Sequence, residues 1–222
     1  MIIEVTGPIA SGKTTLVKNL DRNDIIKSRE MNKKKKVNYI KYMTSSKFFR
    51  KNFFLILRVS WLTKRNTLHA LSEIVHYLFH AEKFDRENKL ALWEEGIVCN
   101  FLVPKKGKDR KLVNKLRKRI VKRFPSAVIY VTCTDQKIRK KRIEKRSDPN
   151  GKHLLDADNP LEEIKKHYNR IEREVKTSVE PIKEEIEDVK EIKNETEFDN
   201  VLEKFDKVVQ EIKENAEEKE LI

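Results

Sequence analysis

A β-branched apolar run that breaks into Gly7-Pro8-Ile9-Ala10-Ser11-Gly12-Lys13-Thr14 constrains this chain more than any other feature. The spacing is G-x-x-x-x-G-K-[ST], with a strand pattern before it (Ile2 to Thr6) and a helix-compatible run after it. It specifies a strand, a loop that wraps phosphate, and a helix. Gly7 and Gly12 let the backbone pass close to an anion. The loop N–H groups form a nest at the positive end of the following helix. Lys13 supplies a mobile point charge for the outer phosphates, and the Thr14 hydroxyl suits a hard Mg²⁺ ion. Gly7, Pro8, Ile9, Ala10, Ser11, Gly12, Lys13, Thr14 and Thr15 are therefore the candidate nucleotide-binding set. The chain has only five glycines, and two of them sit in this motif, so it is not a by-product of glycine richness.

Beyond the loop, strand and helix patterns alternate, which predicts an α/β fold with a mainly parallel sheet. Strands are expected at Ile2–Thr6, Val37–Met43, Leu90–Glu94, Ala127–Thr132 and Val189–Lys193. Helices are expected at Lys13–Leu20, over much of Ser46–Phe84, and at Lys111–Phe124, Asp135–Arg146, Pro160–Val175 and Glu197–Glu217. Asn159-Pro160 followed by Glu162 and Glu163 reads as a capped helix start. Phe198, Val201, Leu202, Phe205, Val208, Val209 and Ile212 recur at helical spacing, so the last helix should pack on the sheet. Its tail, 214–222, should fray.

The chain length of 222 residues fits one domain. A net charge of +14 suits anionic partners without choosing among them. Cys99 and Cys133 resemble neither a disulfide framework nor a zinc site. His76 and His80 are four apart but lack the glutamate of a zinc-protease motif. The first residues start a strand at once and the longest apolar run contains Arg58, so the expectation is a cytoplasmic protein without signal peptide or transmembrane segment. Lys105 to Arg123 carries eleven basic residues against one aspartate. It reads as the outer face of a helix, with a nucleic-acid- or lipid-facing patch as the other reading.

A phosphate loop needs a carboxylate to hold the metal's water shell or polarise a nucleophile. In parallel sheets that group sits at the carboxyl end of a neighbouring strand. Leu90-Ala91-Leu92-Trp93-Glu94-Glu95-Gly96 fits, with Glu94 first and Glu95 as alternate. Farther on, Arg142 and Arg146 share a helix face and precede a polar turn-forming segment. Arginines there are suited to stabilising a transferring phosphoryl group.

In this order, GPIASGKT, LWEEG and RIEKR resemble the thymidylate kinase and deoxynucleoside kinase group of P-loop small-molecule kinases. The resemblance covers most of the chain loosely. It implies a three-layer P-loop fold with a five-stranded parallel sheet, a single kinase-like domain over 1–222, and a mobile lid near 139–158. It also implies ATP and Mg²⁺, Lys13 on the phosphates, Thr14 on the metal, Glu94 as base or metal-shell carboxylate, and Arg142 and Arg146 on the lid side. Glu-Glu-Gly stands where thymidylate kinases carry Asp-Arg-Tyr and deoxynucleoside kinases Glu-Arg-Ser, which leaves the acceptor open.

The expected activity is therefore ATP-dependent phosphoryl transfer to a small molecule, a nucleoside or nucleotide first. The alternatives are a kinase for nucleic-acid 5′ ends and a nucleotide-binding regulatory protein without transfer. The acceptor pocket is expected among the helices before the third strand, with Tyr42, Arg58, Trp61, Arg65, His69 and Glu95 as candidates. Phe53, Phe54, Leu57 and Trp61 recur at helical spacing and read mostly as core. A homodimer is compatible with all of this.

Overall fold

The computed structural model describes residues 1–27, 36–63, 66–94, 96, 104, 107–145, 154–219 and 222. Five strands, β1 (Ile2–Thr6), β2 (Ile25–Lys27), β3 (Leu90–Glu94), β4 (Ser126–Thr132) and β5 (Asp188–Lys193), form one sheet in the order β2-β3-β1-β4-β5. Every pairing is parallel; β1 lies between β3 and β4, with Ile2 opposite Ala91 on one side and Ser126 on the other. All residues of β1 and β4 are buried. Such near-continuous apolar strands are what a parallel sheet covered on both faces demands.

One covering layer is α1 (Lys13–Asn19) with α8 (Phe198–Glu218). Leu16 and Val17 of α1 and Val201, Phe205, Val209 and Ile212 of α8 pack on Ile3, Val5, Leu92, Ile129 and Val131. The helical spacing read in the last segment is this contact face. Fully burying one such side chain is worth about 1.5–3 kcal/mol. The helix continues to Glu218 with Ala216 buried, which corrects the expected fraying from 214.

The opposite layer holds α2 (Lys36–Ser45), α3 (Lys47–Leu62), α4 (Thr67–Arg86), α5 (Arg110–Arg123) and α7 (Pro160–Val179). Ile2, Ala91 and Trp93 meet residues of α2 to α5 there, and Val128 and Tyr130 meet Val121, Val175 and Val179. Short polar side chains start these helices: Ser46 accepts from the Phe49 N–H, Asn66 from Leu68, and Asn159 from Glu162 with Pro160 at the first turn. The shorter α6 (Gln136–Glu144) is capped by Asp135, which accepts from Lys137 and Ile138.

The strand expected at Val37–Met43 is instead α2. Tyr42 is buried, and Tyr39 and Met43 are partly buried against the same cluster, so i, i+3 and i+4 face the core. That packing overrides the alternating β-branched and aromatic pattern. The edge position goes to β2, three residues long, paired Ile25 to Leu90.

Candidate active site

The connection from β1 enters α1 on one face of the sheet, while the chain after β3 reaches α5 on the other. The two adjacent strands thus open outward at their carboxyl ends, the crevice where ligands sit in parallel α/β sheets. The glycine loop leaves β1 and Glu94 ends β3 at this place.

The loop's shape follows from its residues. A Cβ on Gly7 would lie 2.2 Å from the Val131 carbonyl oxygen of β4, so no side chain fits there. Gly12 has φ 92°, and a Cβ on it would lie 2.1 Å from the Asn194 side-chain nitrogen. Between them Ala10 also adopts a left-handed φ of 62°. The Ser11 N–H closes a turn onto the Pro8 carbonyl at 3.2 Å.

Side chains from distant segments hold the loop by its carbonyl oxygens. Arg139 of α6 is fully buried and donates to Ile9 O from Nε and Nη2, each at 3.2 Å, and from Nη1 to Ile164 O at 3.0 Å. Its guanidinium lies over the Tyr168 ring, and burial lowers its pKa from the ordinary arginine value. Arg142 donates to Ala10 O at 3.3 Å and Ser11 O at 3.4 Å, and with its other nitrogen to Asn194 Oδ1 at 3.1 Å. Asn194, just past β5, donates Nδ2 to Ser11 O at 2.7 Å. In a trans peptide the N–H points opposite to the C=O. Pinning the carbonyls of Ile9 and Ser11 from outside therefore turns the N–H groups of Ala10 and Gly12 toward the loop interior. Ala10 also packs with Ile143, Leu154 and Ile164, which seats α6 and α7 against the loop.

Lys13 and Thr14 meet the loop from the first turn of α1, and Glu94 from the end of β3. Lys13 is buried and its Nζ donates to Gly7 O at 3.1 Å, across the loop. Thr14 Oγ1 donates to Glu94 Oε2 at 2.6 Å. Ser11 is fully buried, and its Oγ is without a hydrogen-bond partner among the described residues. An unsatisfied hydroxyl costs about 1–3 kcal/mol, so its place in a phosphate loop fits an anionic ligand that accepts from it. A hydroxyl and a carboxylate in contact are hard oxygen donors suited to Mg²⁺. Thr15 is exposed on α1.

The other candidates divide. Arg142 reaches the loop, on its carbonyl side. Arg146, Arg65 and Glu95 lie outside the described residues, as does Cys99. Tyr42 is corrected from substrate-facing to core: it packs edge-on against Phe49 and Phe79 with its hydroxyl buried. Arg58, Trp61 and His69 are exposed. Two residues that hold the loop were not anticipated, Arg139 and Asn194. Arg139 lies three before Arg142 and so shares its face; Asn194 carried only its position after a strand as a signal.

No protein-family model and no curated protein matches the chain. Similar solved structures include shikimate kinase from Acinetobacter baumannii in complex with shikimate, 14% identical, covering 96% of this chain and 93% of that one with a TM-score of 0.40. Deoxyadenosine kinase from M. mycoides with bound dATP is 13% identical, covering 95% and 100% with a TM-score of 0.43. An uncharacterized protein from Eubacterium ventriosum is 11% identical, covering 96% and 98% with a TM-score of 0.46. At these values the likeness adds nothing to what the sheet order and the loop already establish. The chain has a three-layer α/β fold: a five-stranded parallel sheet between helices, with the glycine loop 7–14 at its carboxyl edge.

Proposed function

We propose that the protein transfers the terminal phosphoryl group of ATP to a small acceptor, a nucleoside or nucleoside monophosphate first among them. The observation that carries this is the 2.6 Å contact between Thr14 Oγ1 and Glu94 Oε2 beside a loop braced from outside. The loop N–H groups and Lys13 bind the phosphates. Mg²⁺, held by Thr14 with Glu94 in its shell, would neutralise charge on the outer phosphates. Glu94 is half-buried at the end of β3, and its proposed role is to orient the acceptor hydroxyl or take its proton. Arg142 is a positioning residue, and Arg146 is proposed to supply positive charge to the transferring group. Catalysis is then alignment plus charge stabilisation.

The test is a panel of nucleosides, nucleotides and sugars incubated with ATP and Mg²⁺ and scored for mass gain of one phosphate. A product made by the native chain and lost in Lys13→Ala and Glu94→Gln supports the assignment. Undiminished transfer in both variants, or no association of ATP with the native chain, overturns it.

A further inference from the structure

From Met31 to Ser72 the chain carries eleven lysines and arginines and no acidic residue. The central element of this stretch is α3. Its inward side buries Phe49, Asn52, Ile56, Val59 and Ser60. At about 100° per residue, Lys47, Arg50, Lys51, Phe54, Arg58 and Trp61 fall in one outward arc, and all six are exposed. Phe54 is 84% and Trp61 66% exposed, and Leu68 at the start of α4 is 76% exposed. Phe54 and Trp61 were expected mostly in the core; the structure turns them out. Arg119 of α5 donates to Asn52 Oδ1 at 2.7 Å, so α5 packs against the inward side of α3 and leaves the outward arc uncovered.

Single exposed apolar residues need no explanation, but aromatic rings interleaved with cations along one helix face mark a surface with a partner. Charge selects the partner. A second copy docked face to face would set two cationic rows together with no acid between them. Nucleic acid stacks its bases in basic grooves lined with aromatic rings; this face is a convex helix, and Leu68 offers no ring. We infer that α3 and the start of α4 dock peripherally on an anionic lipid surface. Lysines and arginines meet the headgroups there, while Phe54, Trp61 and Leu68 settle at the acyl boundary. No described helix is long and apolar enough to cross the bilayer, so the association is superficial. Thr63, just past α3, bridges Pro104 in the segment between β3 and α5, which brings the stripe's Trp61 end near the connection leaving the carboxyl edge of the sheet. This inference does not depend on the phosphotransfer reading.

The experiment is flotation of the full chain with vesicles of phosphatidylcholine alone and of phosphatidylcholine with one lipid in three phosphatidylserine. Binding is expected only to the anionic vesicles, weakening with salt and falling about fivefold for each cation removed, as in Lys51→Glu, which also reverses the charge. Trp61 should shift its emission to shorter wavelength on binding, whereas Trp93 is buried and reports no change. Phe54→Ser should lose vesicle binding while ATP association by calorimetry stays as in the native chain. Three results overturn the inference: no preference for anionic vesicles, equal binding by Phe54→Ser, or a sedimentation-velocity dimer that Phe54→Ser dissolves. Preferential, salt-sensitive capture of single-stranded oligonucleotides over vesicles overturns it as well.

Discussion

Thr14 Oγ1 donates to Glu94 Oε2 at 2.6 Å, joining the first turn of α1 to the end of β3 across 80 residues of chain. Both groups sit where the two strands' connections part to opposite faces of the sheet. Glu94→Gln keeps the shape and removes the charge. It is expected to leave ATP association within a few-fold and to lower phosphoryl transfer about 10²–10³-fold, read by product formation at saturating ATP. Thr14→Ala should weaken ATP in the presence of Mg²⁺ and leave metal-free ATP binding nearly unchanged, read by calorimetry with and without chelator.

Asn194 is buried and holds Ser11 O while accepting from Arg142. Asn194→Ala leaves a loop carbonyl and an arginine nitrogen short of a partner. The expected result is a loss of about 1–2 kcal/mol, seen both as a lower urea midpoint and as roughly tenfold weaker ATP binding. A stability loss with unaltered ATP affinity would show that the residue braces the fold and not the loop's binding form.

Gly12→Ala sets a methyl 2.1 Å from the Asn194 amide at φ 92°. The left-handed angle alone costs about 1–3 kcal/mol, and the displaced amide releases Ser11. The variant should unfold at lower urea and fail to retain ATP. Wild-type stability would mean that neither the left-handed angle nor the displaced amide carries a cost here.

His80 sits 7% exposed among His76, Phe84 and Trp93, and neither ring nitrogen has a partner among the described residues. Burial first, then the positive neighbours His76 and Lys83, push its pKa from 6.5 down to about 4. Below 6.5 the unfolded chain takes up a proton that the folded chain refuses, so stability falls as pH drops from 6.5 toward 4 and the loss levels off below that. His80→Phe should flatten this slope, measured as urea midpoints across the window. An unchanged slope would place the proton uptake elsewhere.

Residue order alone made the loop, the acid at the end of β3 and the long helices α5, α7 and α8 readable. Each is a local pattern: a glycine spacing, a strand that runs into a carboxylate, an apolar repeat over a dozen residues or more. Where the signal was short or served two periods, packing settled it. Val37 to Met43 alternates like a strand, yet the face joining Tyr39, Tyr42 and Met43 found a core at helical spacing. Ile25 to Lys27 is too brief to stand out, and it is a strand because Leu90 to Leu92 lies open beside it. Phe54 and Trp61 show the same limit in reverse, since an amphipathic pattern does not say which of two apolar sides meets the sheet.

The grip on the glycine loop is the clearest case. Asn194 reaches Ser11 from 183 residues away, and Arg139 reaches Ile9 from 130. Nothing near either residue announces that partner. The pairing exists because parallel strands bring their carboxyl ends to one edge, so groups from remote crossovers converge on the same few carbonyls. Chemistry carried by neighbouring residues can be read along the chain; chemistry assembled by closing long loops appears only once the sheet order is in place.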